Sequence, residues 1–288
     1  MIRAMGERTV KRGLLAVLVA CVAWTSVQSV AQASAPFRNP ESDMDPEVFS
    51  IEEKDFLGVK PDGKTALIDQ DGKSFQLGDL VGEKPLILVL SYYMCDGTCS
   101  VVNQDLAQQL EGMERLIPGK DFNILTLAFD KNDTLDTLRE FRKQTGLAAT
   151  MDGWTWALFE DRLAIEPFTE KLGYKFFWSP RDRTFFHPGV YVVISPEGRV
   201  TRYLWALNVD PSDVELALLE SSTGKMKATP RDLINFAVSL CYSYNFEEGR
   251  YTYNLPLFIA LGSLGLGVGS FTAASVYFVR RRKREATQ

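Results

Sequence analysis

Near its C-terminus the chain carries 25 residues without a charge, Leu255 to Val279, followed at once by Arg280, Arg281, Arg282, Lys283 and Arg284. As a helix rising ~1.5 Å per residue, that run exceeds the ~30 Å hydrocarbon core of a bilayer. It predicts one membrane-spanning helix, 255–279, with a basic tail, 280–288. The arginine-rich flank sets the tail on the cytoplasmic side and everything before the helix on the opposite side. Gly265 and Gly269 form a GxxxG pair, but glycine is common in such spans, and a plain anchor accounts for it better than a dimer seam.

The N-terminus agrees with that orientation. A basic patch (Arg3, Arg8, Lys11, Arg12) precedes an apolar run from Gly13 to about Val27, which closes on Ala31-Gln32-Ala33-Ser34-Ala35. This is the layout of a secretory signal peptide, 1–33, cleaved after Ala33. Two alternatives are a lipoprotein box, Leu18-Val19-Ala20-Cys21, and an uncleaved signal anchor. In each version the residues that follow are exported. The expectation is a single-pass protein of a cell inner membrane, with a periplasmic main domain and a cytoplasmic C-terminus.

Composition narrows the class. With 45% hydrophobic and 24% charged residues the chain is ordinary globular protein, not collagen, long disorder or a disulfide-dense scaffold. The whole chain has a net charge of −5; without residues 1–33 and the tail from Arg280, 23 Lys and Arg face 35 Asp and Glu, a net of −12. Nothing in that balance supports nucleic-acid binding, and none is expected. About 220 residues between the hydrophobic ends suffice for a core without disulfide staples.

Residues 34–54 read as a polar, proline-containing linker. Two alternating runs, 65–69 and 73–77, flank Gln70-Asp71-Gly72 and predict a β-hairpin. The nearly continuous apolar run 85–93 predicts a strand buried on both faces. A helix over 99–116, a second buried strand over 122–129 and a helix over 134–145 capped by Asp133 follow. A strand over 154–159, a helix over 162–172, a hairpin of 190–195 with 199–205, and a helix over 211–223 complete the pattern. Strand–helix alternation closing on an antiparallel hairpin gives the expected fold: α/β, thioredoxin-like, with an N-terminal β-hairpin and inserted elements. The domain runs over 55–223, and a tyrosine-rich juxtamembrane segment, 224–254, joins it to the membrane helix.

Four cysteines are present. Cys21 lies in the signal segment, which leaves Cys95, Cys99 and Cys241, an odd count that suits chemistry better than stapling. Cys95 and Cys99 sit where a buried strand hands over to a helix, and a spacing of four puts both sulfurs on one helical face. A helix N-terminus favours thiolate, which is both nucleophile and metal ligand. The pair can close a Cys95–Cys99 disulfide or chelate a soft metal; a purely structural disulfide over so short a loop constrains little. His187 is the only histidine, and in a thioredoxin-like sheet the loop before the last hairpin faces the cysteine-bearing helix end. Two thiolates and one imidazole suit copper and could suit zinc. Cys241 reads as a half-buried thiol among Tyr242, Tyr244, Tyr251 and Tyr253, or else as a resolving thiol for the pair. Met94 and Met151 read as packing residues rather than copper contacts.

Strand–CxxxC–helix, the Phe129-Asp130 turn, and His187 ahead of a Tyr191…Pro196-x-Gly198 hairpin resemble the SCO/SenC family over roughly residues 55–222. These are thioredoxin-fold proteins that bind copper and help assemble the binuclear copper centre of cytochrome c oxidase. The resemblance implies Cys95, Cys99 and His187 as copper ligands and Asp130 as an acidic residue behind them. It implies, as partner, the copper-bearing subunit of a respiratory oxidase or another copper protein; metal binding requires reduced thiolates, which adds a periplasmic thiol reductant as an expected partner. The chain departs from the family in having Cys95-Asp96 where Cys-Pro is usual, and in its C-terminal rather than N-terminal membrane helix. Leu240-Cys241-Tyr242-Ser243-Tyr244 with Gly249-Arg250-Tyr251 resembles the tail of a bacterial branch that also ends in such a helix. The alternative is a thiol–disulfide oxidoreductase in which Cys95 attacks and Cys99 resolves, the only enzymatic activity the sequence suggests.

Overall fold

The structure, a computed structural model, describes residues 45–95, 98–147, 151–225, 229–246 and 249–285. The expected signal peptide, the first part of the linker, Asp96 and Gly97 lie outside them. The described chain forms two units. In the smaller, residues 179–183 form a turn in which the Ser179 hydroxyl donates to Asp182 Oδ2 at 2.7 Å and accepts from Asp182 N–H at 2.9 Å. The larger unit holds everything else described below.

Its centre is a seven-stranded sheet. The N-terminal hairpin is β1 (Ala66–Asp69) and β2 (Ser74–Gln76); β3 (Leu86–Ser91), β4 (Asn123–Ala128) and β5 (Trp154–Phe159) follow, and β8 (Val190–Ile194) and β9 (Val200–Trp205) form the closing hairpin. The order across the sheet is β2-β1-β5-β4-β3-β8-β9. β3, β4 and β5 are parallel, whereas β8 is antiparallel to β3 with Val89 opposite Tyr191. Every residue of β3 is buried, as its unbroken apolar run requires of a central strand. Burial of such side chains stabilises by about 1.5–3 kcal/mol each. Two short strands, β6 (Phe177–Ser179) and β7 (Thr184–Phe186), precede His187 and were not visible as periodicity.

The helices are α1 (Glu53–Phe56), α2 (Thr98–Glu111), α3 (Leu135–Gln144), α4 (Ile165–Lys171), α5 (Pro211–Ser221), α6 (Pro230–Cys241) and α7 (Leu255–Glu285). Within the stretch read as linker, Pro46–Phe49 makes a 3₁₀ turn and α1 follows; Val48, Ile51 and Glu53 are buried. The cap of α3 is Thr134 rather than Asp133: Thr134 Oγ1 accepts from Thr137 N–H, leaving the Asp133 carboxylate free to point elsewhere. α2 ends at Glu111, five residues before the expected boundary, where Gly112 turns the chain. Gly119 (φ 76°) and Gly153 (φ 78°) meet back to back beside β4 and β5. A Cβ on Gly153 would lie 2.2 Å from Gly119 N, an approach only glycine permits.

The tyrosine-rich stretch is not an unstructured tether. β10 (Tyr242–Asn245) and β11 (Arg250–Tyr253) pair as an antiparallel hairpin. It docks on the domain: Tyr244 OH donates to Tyr203 O at 2.8 Å, Tyr251 N–H donates to Asp213 Oδ1 at 2.8 Å, and Tyr251 OH donates to Glu220 Oε2 at 2.5 Å. Arg202 pairs with Glu220 and lies 5.1 Å from the centre of the Tyr244 ring. Among the described residues one helix, Leu255–Arg282 within α7, is long and apolar enough to cross a membrane; its mean hydropathy is 1.7 and none of it is buried.

Candidate metal centre

The sheet brings the expected site together from two ends of the sequence. β3 delivers Cys95 four residues after its last residue, and α2 starts at Thr98, so Cys99 occupies its first turn. β8 runs antiparallel beside β3, so the residues before β8 lie at the same sheet end as those after β3. His187 thereby comes within 3.3 Å of Cys99 Sγ through Nε2. Cys95, Cys99 and His187 are all buried, and no disulfide joins Cys95 to Cys99.

His187 is oriented from behind. Its Nδ1 lies 3.0 Å from Pro188 O and 2.7 Å from Tyr174 OH. A carbonyl can only accept, so the Pro188 contact assigns the proton to Nδ1. Tyr174 OH then accepts from the ring and donates to Leu90 O at 3.4 Å. Nε2 is left with its lone pair facing the cysteines, the tautomer a metal ligand needs. Burial pushes the His187 pKa below its ordinary value, against the opposite pull of the Pro188 hydrogen bond, so the ring stays neutral. Phe129, Tyr92 and Tyr174 enclose it, with ring centres 5.1, 6.2 and 6.1 Å away.

The thiols depart from the simplest expectation. A helix N-terminus should lower the pKa of Cys99, but the pKa is pushed well above the ordinary value, first by the hydrogen bond with Cys95 and then by burial. The neighbouring thiol and burial together outweigh the pull of the helix end. Cys95 is tied both to Cys99 and to the Tyr92 hydroxyl, which also meets Thr184 Oγ1 at 2.8 Å.

Chemically the donor set is two sulfurs and one imidazole nitrogen, with Cys99 and His187 already adjacent. Among the described residues, however, no three His, Cys, Asp or Glu side chains already stand as a ready metal cage. The structure thus juxtaposes the pair Cys99–His187 and links Cys95 to it through Cys99. Asp130 closes its own turn: its Oδ1 accepts from the N–H and Nδ2 of Asn132, both at 3.0 Å. Cys241 is half-buried at the end of α6, Met94 is exposed, and Met151 packs against the core.

Asp133 reaches the cysteine loop. Its Oδ2 accepts from Tyr93 N–H at 2.8 Å and its Oδ1 from the Thr137 hydroxyl at 3.0 Å. Burial raises its pKa to about 6, against those two hydrogen bonds. The folded value is above the unfolded one, so the ionised group penalises folding above pH 6, and the penalty fades as pH falls from 6 towards 4. Asp133→Asn keeps an acceptor for Tyr93 N–H and places an amide donor opposite the Thr137 hydroxyl, whose bond to this position reverses. It is expected to raise the melting temperature by a few degrees at pH 7.5, a gain of about 1–2 kcal/mol, and to give none near pH 4. Thermal scans across that range check it; a lower melting temperature at pH 7.5 would show the hydrogen bonds outweigh burial.

The second group missed in the sequence is Asn103. Its Nδ2 donates to Ser91 Oγ at 3.0 Å and to Cys99 O at 2.8 Å, while its Oδ1 accepts from Thr126 Oγ1 at 2.8 Å. Trp154 Nε1 donates to the same Thr126 oxygen at 3.0 Å. This buried network fastens the first turn of α2, and so Cys99, to β3, β4 and β5.

No family model matches the sequence, and no curated protein matches it. Solved structures do. A protein from Aquifex aeolicus VF5, provisionally described as an electron transfer protein, is 29% identical with a TM-score of 0.53, covering 60% of this chain and 97% of its own. A SCO1/SenC family lipoprotein from Bacillus anthracis is 17% identical with a TM-score of 0.46, covering 55% and 91%. Bradyrhizobium japonicum ScoI, solved with copper bound, is 19% identical with a TM-score of 0.44, covering 57% and 97%. The chain has a mixed α/β fold built on a central sheet, similar to that of the Aquifex aeolicus protein, with one long apolar helix at its C-terminus.

Proposed function

We propose that the chain is a copper-binding protein of the SCO/SenC family, exported and anchored in a cell inner membrane by α7. Its role is to assist assembly of a respiratory oxidase's copper centre from the periplasmic side. The observation that carries this reading is the 3.3 Å approach of His187 Nε2 to Cys99 Sγ, with Cys95 hydrogen-bonded to the same sulfur. Cys95, Cys99 and His187 would hold one copper ion as cargo, a soft N/S donor set that suits the metal. Binding releases the thiol protons, so a raised Cys99 pKa makes loading favour higher pH. It also requires both cysteines reduced, which makes a periplasmic thiol reductant a partner. Delivery is ligand exchange with the copper-bearing subunit, whose donors replace these three in turn.

Anaerobic copper titration of the reduced full-length chain in detergent tests the reading. One copper per chain with thiolate-to-Cu(II) charge-transfer absorption, lost in Cys95→Ala, is the expected result. Absence of stoichiometric copper would overturn it.

One observation favours a second reading: the two thiols already touch, whereas the three donors do not form a finished cage. In a thiol–disulfide exchange, Cys95 thiolate attacks a partner disulfide and releases one partner thiolate. Cys99 then attacks the mixed disulfide, closing Cys95–Cys99 and releasing the second. The chain is oxidised by two electrons and the partner reduced by two. The buried, weakly acidic Cys99 fits the second step. Such exchange needs no imidazole, and a rate unchanged in His187→Ala would distinguish it.

A further inference from the structure

Helix α6 is built inside out. Its buried side carries a polar residue, Asn235 at 9% exposure, with Val238 and Ser239 half-buried beside it. Its outward side carries Leu233, Ile234, Phe236 and Leu240 at 60, 62, 42 and 46% exposure, with Ala237 among them. At ~100° per residue these five cover a continuous arc of about 160°. A helix that serves only the fold of a water-surrounded domain turns this face inward.

Its place in the chain says what covers that face. Asn254 N–H donates to Cys241 O at 2.8 Å, and its Nδ2 donates to Leu240 O at 3.2 Å, so one residue holds the last turn of α6. The Oδ1 of the same side chain accepts from Leu257 N–H at 3.3 Å, in the first turn of α7. The end of α6 is therefore fastened to the point where the membrane-length helix begins. Around that point Tyr242 and Tyr253 stack with ring centres 5.1 Å apart, and exposed Tyr253 meets exposed Phe258 at 6.4 Å. Aromatic side chains gathered at the mouth of a spanning helix belong at headgroup level.

We infer that α6 lies in the interface of the bilayer that α7 enters, with Leu233, Ile234, Phe236 and Leu240 among the headgroups and upper acyl chains. This rests on the anchoring part of the proposed function and adds a second point of attachment. α6 packs on α5, and the β10–β11 hairpin is bonded to Tyr203, Asp213 and Glu220. The domain is then seated on the membrane rather than swinging from one tether. An in-plane apolar face of this kind is the signature of a monotopic helix.

Two single variants of the full chain in phosphatidylcholine vesicles test this: Phe236→Trp on the exposed face of α6, and Phe271→Trp within α7. Each is measured with ordinary lipid and with lipid brominated on the upper acyl chain, and the wild-type emission is subtracted. The expected result is that the added Phe236→Trp emission is blue-shifted and quenched about twofold or more by brominated lipid. Quenching of Phe271→Trp without quenching of Phe236→Trp would overturn the inference while leaving the anchor in place; blue-shifted but unquenched emission from Phe236→Trp would mean a protein surface covers the face instead. Quenching of neither would overturn the anchoring as well.

Discussion

His187→Ala is expected to cost the chain its copper: affinity falls by more than about 100-fold, and the charge-transfer band disappears. Even outer partners of a metal-bound histidine cost about 10–100-fold when removed, and the donor itself contributes more. The geometry makes the effect specific. His187 Nε2 faces Cys99 Sγ, and Pro188 O and Tyr174 OH hold the ring there. A truncation could also loosen the aromatic shell, so Tyr174→Phe provides the companion measurement. It keeps the ring, the ligand and the packing but removes the hydroxyl that accepts from Nδ1. Copper stoichiometry should survive with affinity reduced about 10–100-fold. If His187→Ala retained copper with wild-type affinity, the imidazole would be a core residue and the metal reading would fall. If it lost copper but kept disulfide exchange with a model substrate, both chemistries would reside in the one site.

Asn103→Leu should produce the largest change in stability. The substitution is close to isosteric and apolar, so it opens no cavity, but it removes three hydrogen bonds at once. The Thr126 hydroxyl loses its acceptor and Ser91 its donor at buried positions, and each buried orphan costs about 1–3 kcal/mol. The sum is about 3–5 kcal/mol, a fall of roughly 10 °C in melting temperature for a domain of this size. Because the same amide donates to Cys99 O, copper affinity should fall with it. Denaturant melts of both forms check the first part; an unchanged midpoint would mean that Ser91 and Thr126 find each other without the amide.

Much of this was legible in the sequence because it rests on local pattern. The apolar run 85–93 could be only a central strand, and the Asp71-Gly72 and Glu197-Gly198 turns named their hairpins. Cys95, Cys99 and His187 stood out by residue type and by place relative to those strands. What escaped depends on contacts between distant segments. Asp130 and Asp133 are three residues apart in one turn, and only the packing shows that Asp133 reaches Tyr93 N–H while Asp130 bonds its own loop. Asn103 reads as an ordinary polar residue on an amphipathic helix until β3 and β4 bring Ser91 and Thr126 against it. The low Cys99 acidity escaped because a helix end is visible in sequence, but the Cys95 hydrogen bond and the burial that override it are not. Helix α6 escaped for the opposite reason. Its apolar residues were visible, but the side on which they lie is set by Asn235 turning inward.

The antiparallel pairing of β3 with β8 has a consequence for how the site is lost. The cysteine loop leaves one of these strands and His187 enters the other, so their separation is spanned by main-chain hydrogen bonds such as those around Val89 and Tyr191. A change of side chain elsewhere in the core can lower the stability of the whole sheet without stretching that span. Heating should therefore leave sulfur and nitrogen at their working distance until the central ladder itself opens. Loss of ligand geometry and exchange of the most protected amides would then occur as one event.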